Sequence, residues 1–152
     1  MSYVLDASFV AAALVGSGPT GQWAEDLLES EVHWAAPHLM PVEVANILRR
    51  SAMAGELSQD LASMAHRDLG ALRVDLFAYE PLADRIWALR SNLTAFDAWY
   101  VALAEALDAT LLTLDTRLAK APGTRCKILL PSSNREQVMT SSCRANCREA
   151  AT

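Results

Sequence analysis

Basic residues are in short supply. Thirteen Lys and Arg stand against 18 Asp and Glu, for a net charge of −5. That balance excludes a protein that coats itself in nucleic acid through a broad basic face, because such binding rests on many Lys and Arg contacts to phosphate; it leaves room for a local contact. Histidine is sparse as well, and His33, His38 and His66 have no metal-ligand spacing. The cysteines Cys126, Cys143 and Cys147 are odd in number, late in the chain and without a Cys-x-x-Cys pair, which argues against a zinc site or a redox motif. Long apolar runs are missing too. Windows such as Phe9 to Val15 and Leu111 to Leu114 are broken by glycine or charge, well short of the roughly 20 residues that a membrane span needs. The opening Met1-Ser2-Tyr3-Val4-Leu5-Asp6 has no basic stretch followed by an apolar run and a small-residue cleavage site, so the expectation is a cytoplasmic protein. There is no internal repeat and no Asp-x-Asp-x-Asp-Gly calcium loop.

What is present is enough apolar material for one ordinary core: 152 residues, 52% of them hydrophobic. Tyr3-Val4-Leu5 suits a short buried strand that ends on Asp6 and turns into an Ala-rich helix running to Gly16. Thr20 is placed to cap a helix bearing Trp23, Leu27 and Leu28; Val32 to Ala35 reads as a strand stopped by Pro37, and a helix from about His38 repeats Val44, Ile47 and Leu48 before Gly55. Ser58 caps the next helix, Val74 to Tyr79 is a weak strand, and Glu80 to Arg90 a further helix. From Thr94 the residues Phe96, Trp99, Tyr100, Leu103 and Leu107 recur at helical spacing, which predicts one buried stripe. Thr110 to Leu114 then reads as a strand leading to Asp115.

The spacing of the last two acids predicts where they lie. A helix from Thr94 to Leu107 is ~20 Å long, and the strand after it returns ~17 Å. In a strand–helix–strand crossover every helix starts, and every parallel strand ends, at the carboxyl edge of the sheet. Asp97 and Asp115 therefore meet there; Asp6 ends the first strand at the same edge, and Glu43 lies in the first turns of a helix that follows a strand. Four like charges in one crevice repel and weaken the fold unless a cation accompanies them. Hard oxygen donors with no imidazole or thiolate suit Mg²⁺ or Mn²⁺, and an acidic site with open water positions suits phosphoryl chemistry.

The segments "YVLDASFV", "PVEVANILRR", "LTAFDAWYVALAEAL" and "TLLTLDTRLA" resemble, in order and spacing, the four acidic motifs of the PIN domain, specifically of the VapC-type toxins of bacterial toxin–antitoxin pairs. The resemblance runs from residue 3 to about residue 130. It implies an α/β/α sandwich around a central parallel sheet, and a Mg²⁺-dependent endoribonuclease, with Mn²⁺ as a substitute, whose acidic residues map onto Asp6, Glu43, Asp97 and Asp115. Asp6, Asp97 and Asp115 are the expected metal holders, while Glu43 either binds metal or orients water; one metal and two are both open. Ser8 and Thr94 are implied as supports of the carboxylates, and Asn46, one turn beyond Glu43, as facing the same cleft. A homodimer and a small antitoxin, inserting near the active site, are implied as partners. Arg49, Arg50, Arg117 and Lys120 lie close in sequence to these residues and are candidates for RNA phosphate contacts. Trp23, Trp34 and Met53 are candidates for apolar surface beyond the needs of one core, with core packing the expected fate of each.

Other functions fit less well. A receiver-like phospho-accepting domain needs an acidic pair after the first strand, whereas Asp6 is followed by Ala7 and Ser8. A non-catalytic PIN-fold module conflicts with a complete acidic set, and a housekeeping RNA-processing PIN nuclease is separable from a toxin by a small antitoxin reading frame directly upstream. The nuclease domain is expected over residues 1–130. Residues 131–152, rich in Ser, Arg, Asn and Thr without an apolar period, are expected to be a flexible extension.

Overall fold

The computed structural model describes residues 2–30 and 32–131; the expected extension beyond Pro131 lies outside the described residues. In chain order the elements are β1 (Ser2–Leu5), α1 (Ala7–Val15), α2 (Gly18–Leu28), β2 (His33–Pro37), α3 (Met40–Met53), α4 (Gln59–Ala71), β3 (Asp75–Phe77), a short 3₁₀ turn (Glu80–Leu82), α5 (Ala83–Ala88), α6 (Ala95–Ala106), β4 (Thr110–Leu112), α7 (Thr116–Ala119) and β5 (Ile128–Leu129). All five strands are parallel, in the order β3-β2-β1-β4-β5. This is the expected α/β/α architecture.

The order explains the placement of the site. The chain winds from β1 outward through β2 to β3, then returns across the sheet to lay β4 on the other side of β1. The strand order reverses between β1 and β4, and in open parallel sheets ligands bind at the carboxyl ends of the strands beside such a reversal. The register pairs Tyr3 with Thr110, Val4 with Leu111 and Leu5 with Leu112, so the two strands end level. The amide of Asp6 then donates to the Leu112 carbonyl at 3.0 Å, which holds the first residue after β1 against the last residue of β4.

The core is built from strands buried on both faces and from small residues on the central helix. Val4, Leu5, Leu111 and Leu112 are fully buried, as a covered parallel sheet requires. Helix α6 lies against β1, β2 and β4. Its buried face is Ala98, Tyr100, Val101, Ala102, Leu103 and Ala104, so the alanines permit a close approach to the sheet. The expected stripe is corrected here: Tyr100 and Leu103 are in the core, but Phe96 and Leu107 are exposed, since α6 turns its alanine-rich side inward.

Three further expectations change. Helix α2 starts before Thr20, with Ser17 preceding it and Pro19 in the first turn, a position proline favours. The segment Glu80 to Arg90 divides into the 3₁₀ turn and the short α5. Among the apolar surplus, Trp34 is buried, Trp23 packs edge-on against Phe9 with centroids 5.4 Å apart, and Met53 alone is exposed. Ser58 does cap α4, accepting from the Leu61 amide at 3.2 Å. Gly16 and Gly21 touch at the α1–α2 corner, where a Cβ on Gly21 would lie 2.5 Å from the Gly16 carbonyl. No helix among the described residues is long and apolar enough to cross a membrane.

Candidate active site

Each acid at the carboxyl edge is delivered by a different element, and Asp6, Glu43 and Asp97 are each held by a hydroxyl. Asp6 sits between β1 and α1, nearly buried. Its Oδ2 accepts from Ser8 Oγ at 2.5 Å and from Thr113 Oγ1 at 2.6 Å. Glu43 stands in the first turn of α3, where a carboxylate complements the helix dipole. Its Oε2 accepts from the phenol of Tyr100, one turn into α6, at 2.5 Å. Asp97 lies in the first turn of α6, whose N-cap is Thr94. The Thr94 hydroxyl accepts from the Asp97 amide at 3.2 Å and donates to Asp97 Oδ2 at 2.9 Å. The same threonine therefore caps the helix and orients the acid.

These three carboxylates share one electrostatic environment. Burial pushes the Asp6 carboxyl above its ordinary range; hydrogen bonds from Ser8, Thr113 and the Ala7 amide oppose the rise, and the charge of Asp97 adds to it. Glu43 is raised for the same first reason, against the bond from Tyr100, with the charges of Asp6 and Asp97 adding to the rise. Tyr100 is itself pushed far up by burial and by Glu43, so it acts as a donor and never as an acid at working pH. Among the described residues no Lys, Arg or His forms an ion pair with Asp6, Glu43 or Asp97.

Asp115 is engaged differently. Its Oδ1 accepts from the amides of Arg117 at 2.8 Å and Leu118 at 3.4 Å, which caps α7, and Arg117 Nε lies 3.6 Å away. Burial would raise its carboxyl, but the two amides and the Arg117 charge outweigh that and lower it. It joins the other acids through backbone: the Asp115 amide donates to Thr113 Oγ1 at 3.0 Å. Asn46 is exposed, and its Oδ1 accepts from Arg49 Nε at 3.1 Å, while Arg49 Nη1 reaches Met53 Sδ at 3.0 Å. Arg50, Arg117 and Lys120 are exposed at the surface. Two polar residues escaped the sequence reading, Thr113 and Tyr100. Thr113 was read as strand and Tyr100 as core, and both are buried as expected; their hydroxyls, however, serve acids 107 and 57 residues away in the chain.

The donor set is all oxygen. Among the described residues no three Asp, Glu, His or Cys side chains approach closely enough to enclose an ion by themselves. Such a set fits Mg²⁺, which takes one or two carboxylates and keeps several waters, better than an ion that demands a complete protein cage.

Known proteins are similar to this chain in sequence and in fold. The family model for the PIN domain matches residues 3–123. The chain is 43% identical over 128 residues to ribonuclease VapC1 of Mycobacterium tuberculosis, covering 84% of this chain and 96% of that one. It is 40% identical over 126 residues to ribonuclease VapC9 of the same organism, covering 82% and 94%. Among solved structures, the VapBC2 complex of Rickettsia felis bound to a promoter DNA fragment superposes with a TM-score of 0.62 at 14% identity, over 87% of this chain and 100% of that one; this likeness is one of fold. From the match across the acidic segments and from the identity to curated relatives, the chain belongs to the PIN-domain family, among its VapC-type members.

Proposed function

We propose that the protein is a Mg²⁺-dependent endoribonuclease, the toxin of a toxin–antitoxin pair. The observation that carries this reading is the grouping of Asp6, Glu43 and Asp97 at the strand reversal, each held by a hydroxyl and none paired with a base among the described residues. Acids arranged this way destabilise one another, and a divalent cation offsets that cost. The curated relatives named ribonucleases supply the reaction class.

Asp6 and Asp97 would hold the cation, and Glu43 would either join them or orient water. When bound, Mg²⁺ lowers the pKa of water and offsets the charge that builds on a phosphate during hydrolysis. The chain does the rest by positioning. Ser8 and Thr113 fix Asp6, Thr94 fixes Asp97, and Tyr100 leaves Glu43 one oxygen free of its bond. Asp115, whose Oδ1 caps α7, would stand with Asp6 and Asp97 as a holder of the cation. Arg49, Arg50, Arg117 and Lys120 contact RNA phosphates at the rim. A homodimer and an antitoxin complete the assembly; the antitoxin is supported by the paired complexes among the structural neighbours.

Incubation of the purified chain with single-stranded and structured RNA tests the reading. Cleavage should leave 5′-phosphate and 3′-hydroxyl ends, stop in excess EDTA and return with Mg²⁺ or Mn²⁺. Undiminished cleavage in EDTA overturns the metal assignment. Absence of cleavage under every metal condition, from chain freed of its antitoxin, supports a non-catalytic module instead.

A further inference from the structure

A single exposed apolar side chain is ordinary on a protein surface, but Phe96 stands apart by its position. It is 59% exposed in the first turn of α6, directly before Asp97. Tyr100, one turn further along the same helix, is buried and donates its phenol to Glu43 at 2.5 Å. Residues four apart on a helix are neighbours, about 5–6 Å between Cβ atoms, and a helical side chain leans toward the helix start. The Tyr100 ring therefore passes beneath Phe96 on its way to Glu43. Phe96 stands at the open end of that file, with Asp97 beside it.

The fold gives no reason for an aromatic ring there. The buried face of α6 is closed by Ala98, Tyr100, Val101, Ala102, Leu103 and Ala104, so Phe96 adds little to the core. In an exposed first turn an acid suits the helix dipole, and Phe is a poorer helix former than Ala, Glu or Gln. What the site lacks gives the ring a use. RNA binding ordinarily draws on cationic contacts to phosphate, yet the chain carries a net charge of −5, and among the described residues no base pairs with Asp6, Glu43 or Asp97. The acids repel the phosphates that flank the scissile one. A nucleobase is uncharged and offers a π-face to an aromatic side chain whatever the sequence, so stacking adds affinity without any cation. The other exposed apolar residue directly before a site acid, Val42, is aliphatic and lines a groove with His66, Leu69 and Leu76, on the α4 side of α3.

Resting on the RNA-cleaving reading given above, we propose that Phe96 is a base-stacking residue of the substrate site. Its exposed ring receives the base of a nucleotide adjoining the scissile phosphate, and so fixes which phosphate is presented to the acids.

The test is a cycle between side chain and base, run with the purified full chain in Mg²⁺ on a short RNA whose cleavage position has been mapped. For the parent, an abasic nucleotide placed in turn on each side of the cleaved bond should lower kcat/KM about tenfold at one of the two positions, as loss of a base–aromatic stack does. Phe96→Leu keeps the apolar bulk without the π-face. It should lose about tenfold on the intact RNA and no more than about twofold further on the abasic one, while eluting at the parental size on gel filtration. Phe96→Tyr should restore the parental values, and Val42→Ala should keep the full abasic penalty. The inference is overturned if Phe96→Leu cleaves intact RNA at the parental rate, or if the abasic nucleotide still slows it tenfold. A changed elution volume for Phe96→Leu assigns the ring to a contact between copies of the chain and overturns it likewise, as does loss of the abasic penalty in Val42→Ala. A parent that cleaves RNA beside an indifferent Phe96→Leu leaves the nuclease reading standing; a parent that cleaves none overturns that reading, and this inference with it.

Discussion

Helix α6 carries two acids of opposite kinds about 12 Å apart along its axis, at roughly 1.5 Å per residue. At its last turn, Glu105 is neutralised. Arg85 grips it with Nε at 2.6 Å and Nη2 at 3.0 Å, the Arg125 amide adds a bond at 2.8 Å, and Arg85 also reaches the Gly123 carbonyl at 2.9 Å. Burial would raise the Glu105 carboxyl, but these bonds and charges outweigh it and hold the group below its ordinary range. At the first turn, Asp97 faces Asp6 and Glu43 with hydroxyls alone, and burial wins at both of those neighbours. The fold thus pairs an acid with a base where the acid fastens the approach to β5, and among the described residues supplies no base to Asp6, Glu43 or Asp97 where the strands reverse. The acid that fastens structure is neutralised from within the chain, whereas Asp6, Glu43 and Asp97 have only hydroxyls and one another.

The sharpest way to break this contrast is to remove one charge from each end of α6. Asp97→Asn keeps the volume, keeps an oxygen for the Thr94 hydroxyl and relieves repulsion among three carboxylates. RNA cleavage should fall on the order of a thousandfold or more, while the metal-free protein melts at the parental temperature or above. A variant that unfolds, or that cleaves at the parental rate, would make Asp97 a capping residue like Ser58. Glu105→Gln should do the reverse. Loss of a bidentate bond to a charged group costs about 1.5–3 kcal/mol, with a side chain only 12% exposed leaving little screening. The melting temperature should drop, and cleavage per folded molecule should stay within about twofold. A Glu105→Gln protein that remains stable would show that the α6–β5 clasp carries no weight.

The acidic end of this contrast was legible in the sequence, for reasons of geometry, whereas the clasp between Arg85 and Glu105, 20 residues apart, was not read there. A parallel crossover must return to the edge it left, so Asp97 and Asp115 follow from segment lengths alone, and Asp6 follows from the end of an apolar run. Thr94 was legible as a cap because its partner is three residues away. Thr113 and Tyr100 were not, because each looks like an ordinary β-branched or aromatic core residue until the partner's position in space is known. Strand β5 has two residues, too few for any period to register. The exposure of Phe96 was missed because it falls on the helical repeat, yet alanines on the neighbouring face approach the sheet more closely. Asn46, one turn beyond Glu43, is exposed, and its Oδ1 accepts from Arg49 Nε, a local bond between residues three apart.

The smallest expected effect lies in the pH dependence of metal-free stability, where the two kinds of acid have opposite signs. Glu105 and Asp115 are lowered in the folded state. Their contribution is present above the unfolded carboxylate pKa and is lost as pH falls through the folded one, so both favour neutral over acidic conditions. Asp6 and Glu43 are raised. Their contribution is fully present below the unfolded pKa and is lost as pH rises through the folded value, so both penalise neutral conditions. Stability of the metal-free chain should therefore pass through a maximum on the acidic side of neutrality, falling on one limb as Glu105 protonates and on the other as the site acids ionise. Each limb is bounded at about 1.4 kcal/mol per pH unit for each proton exchanged. Thermal melts in buffered EDTA across this range measure it. The double variant Asp6→Asn, Glu43→Gln should flatten the limb toward neutral pH and leave the acid limb in place, whereas Glu105→Gln should weaken the acid limb only. Added Mn²⁺ should raise stability most at neutral pH, where the site acids are charged. If the double variant leaves the neutral limb unchanged, the site acids are strained neither by burial nor by one another, and the difference between the two ends of α6 is one of neighbours rather than of energy.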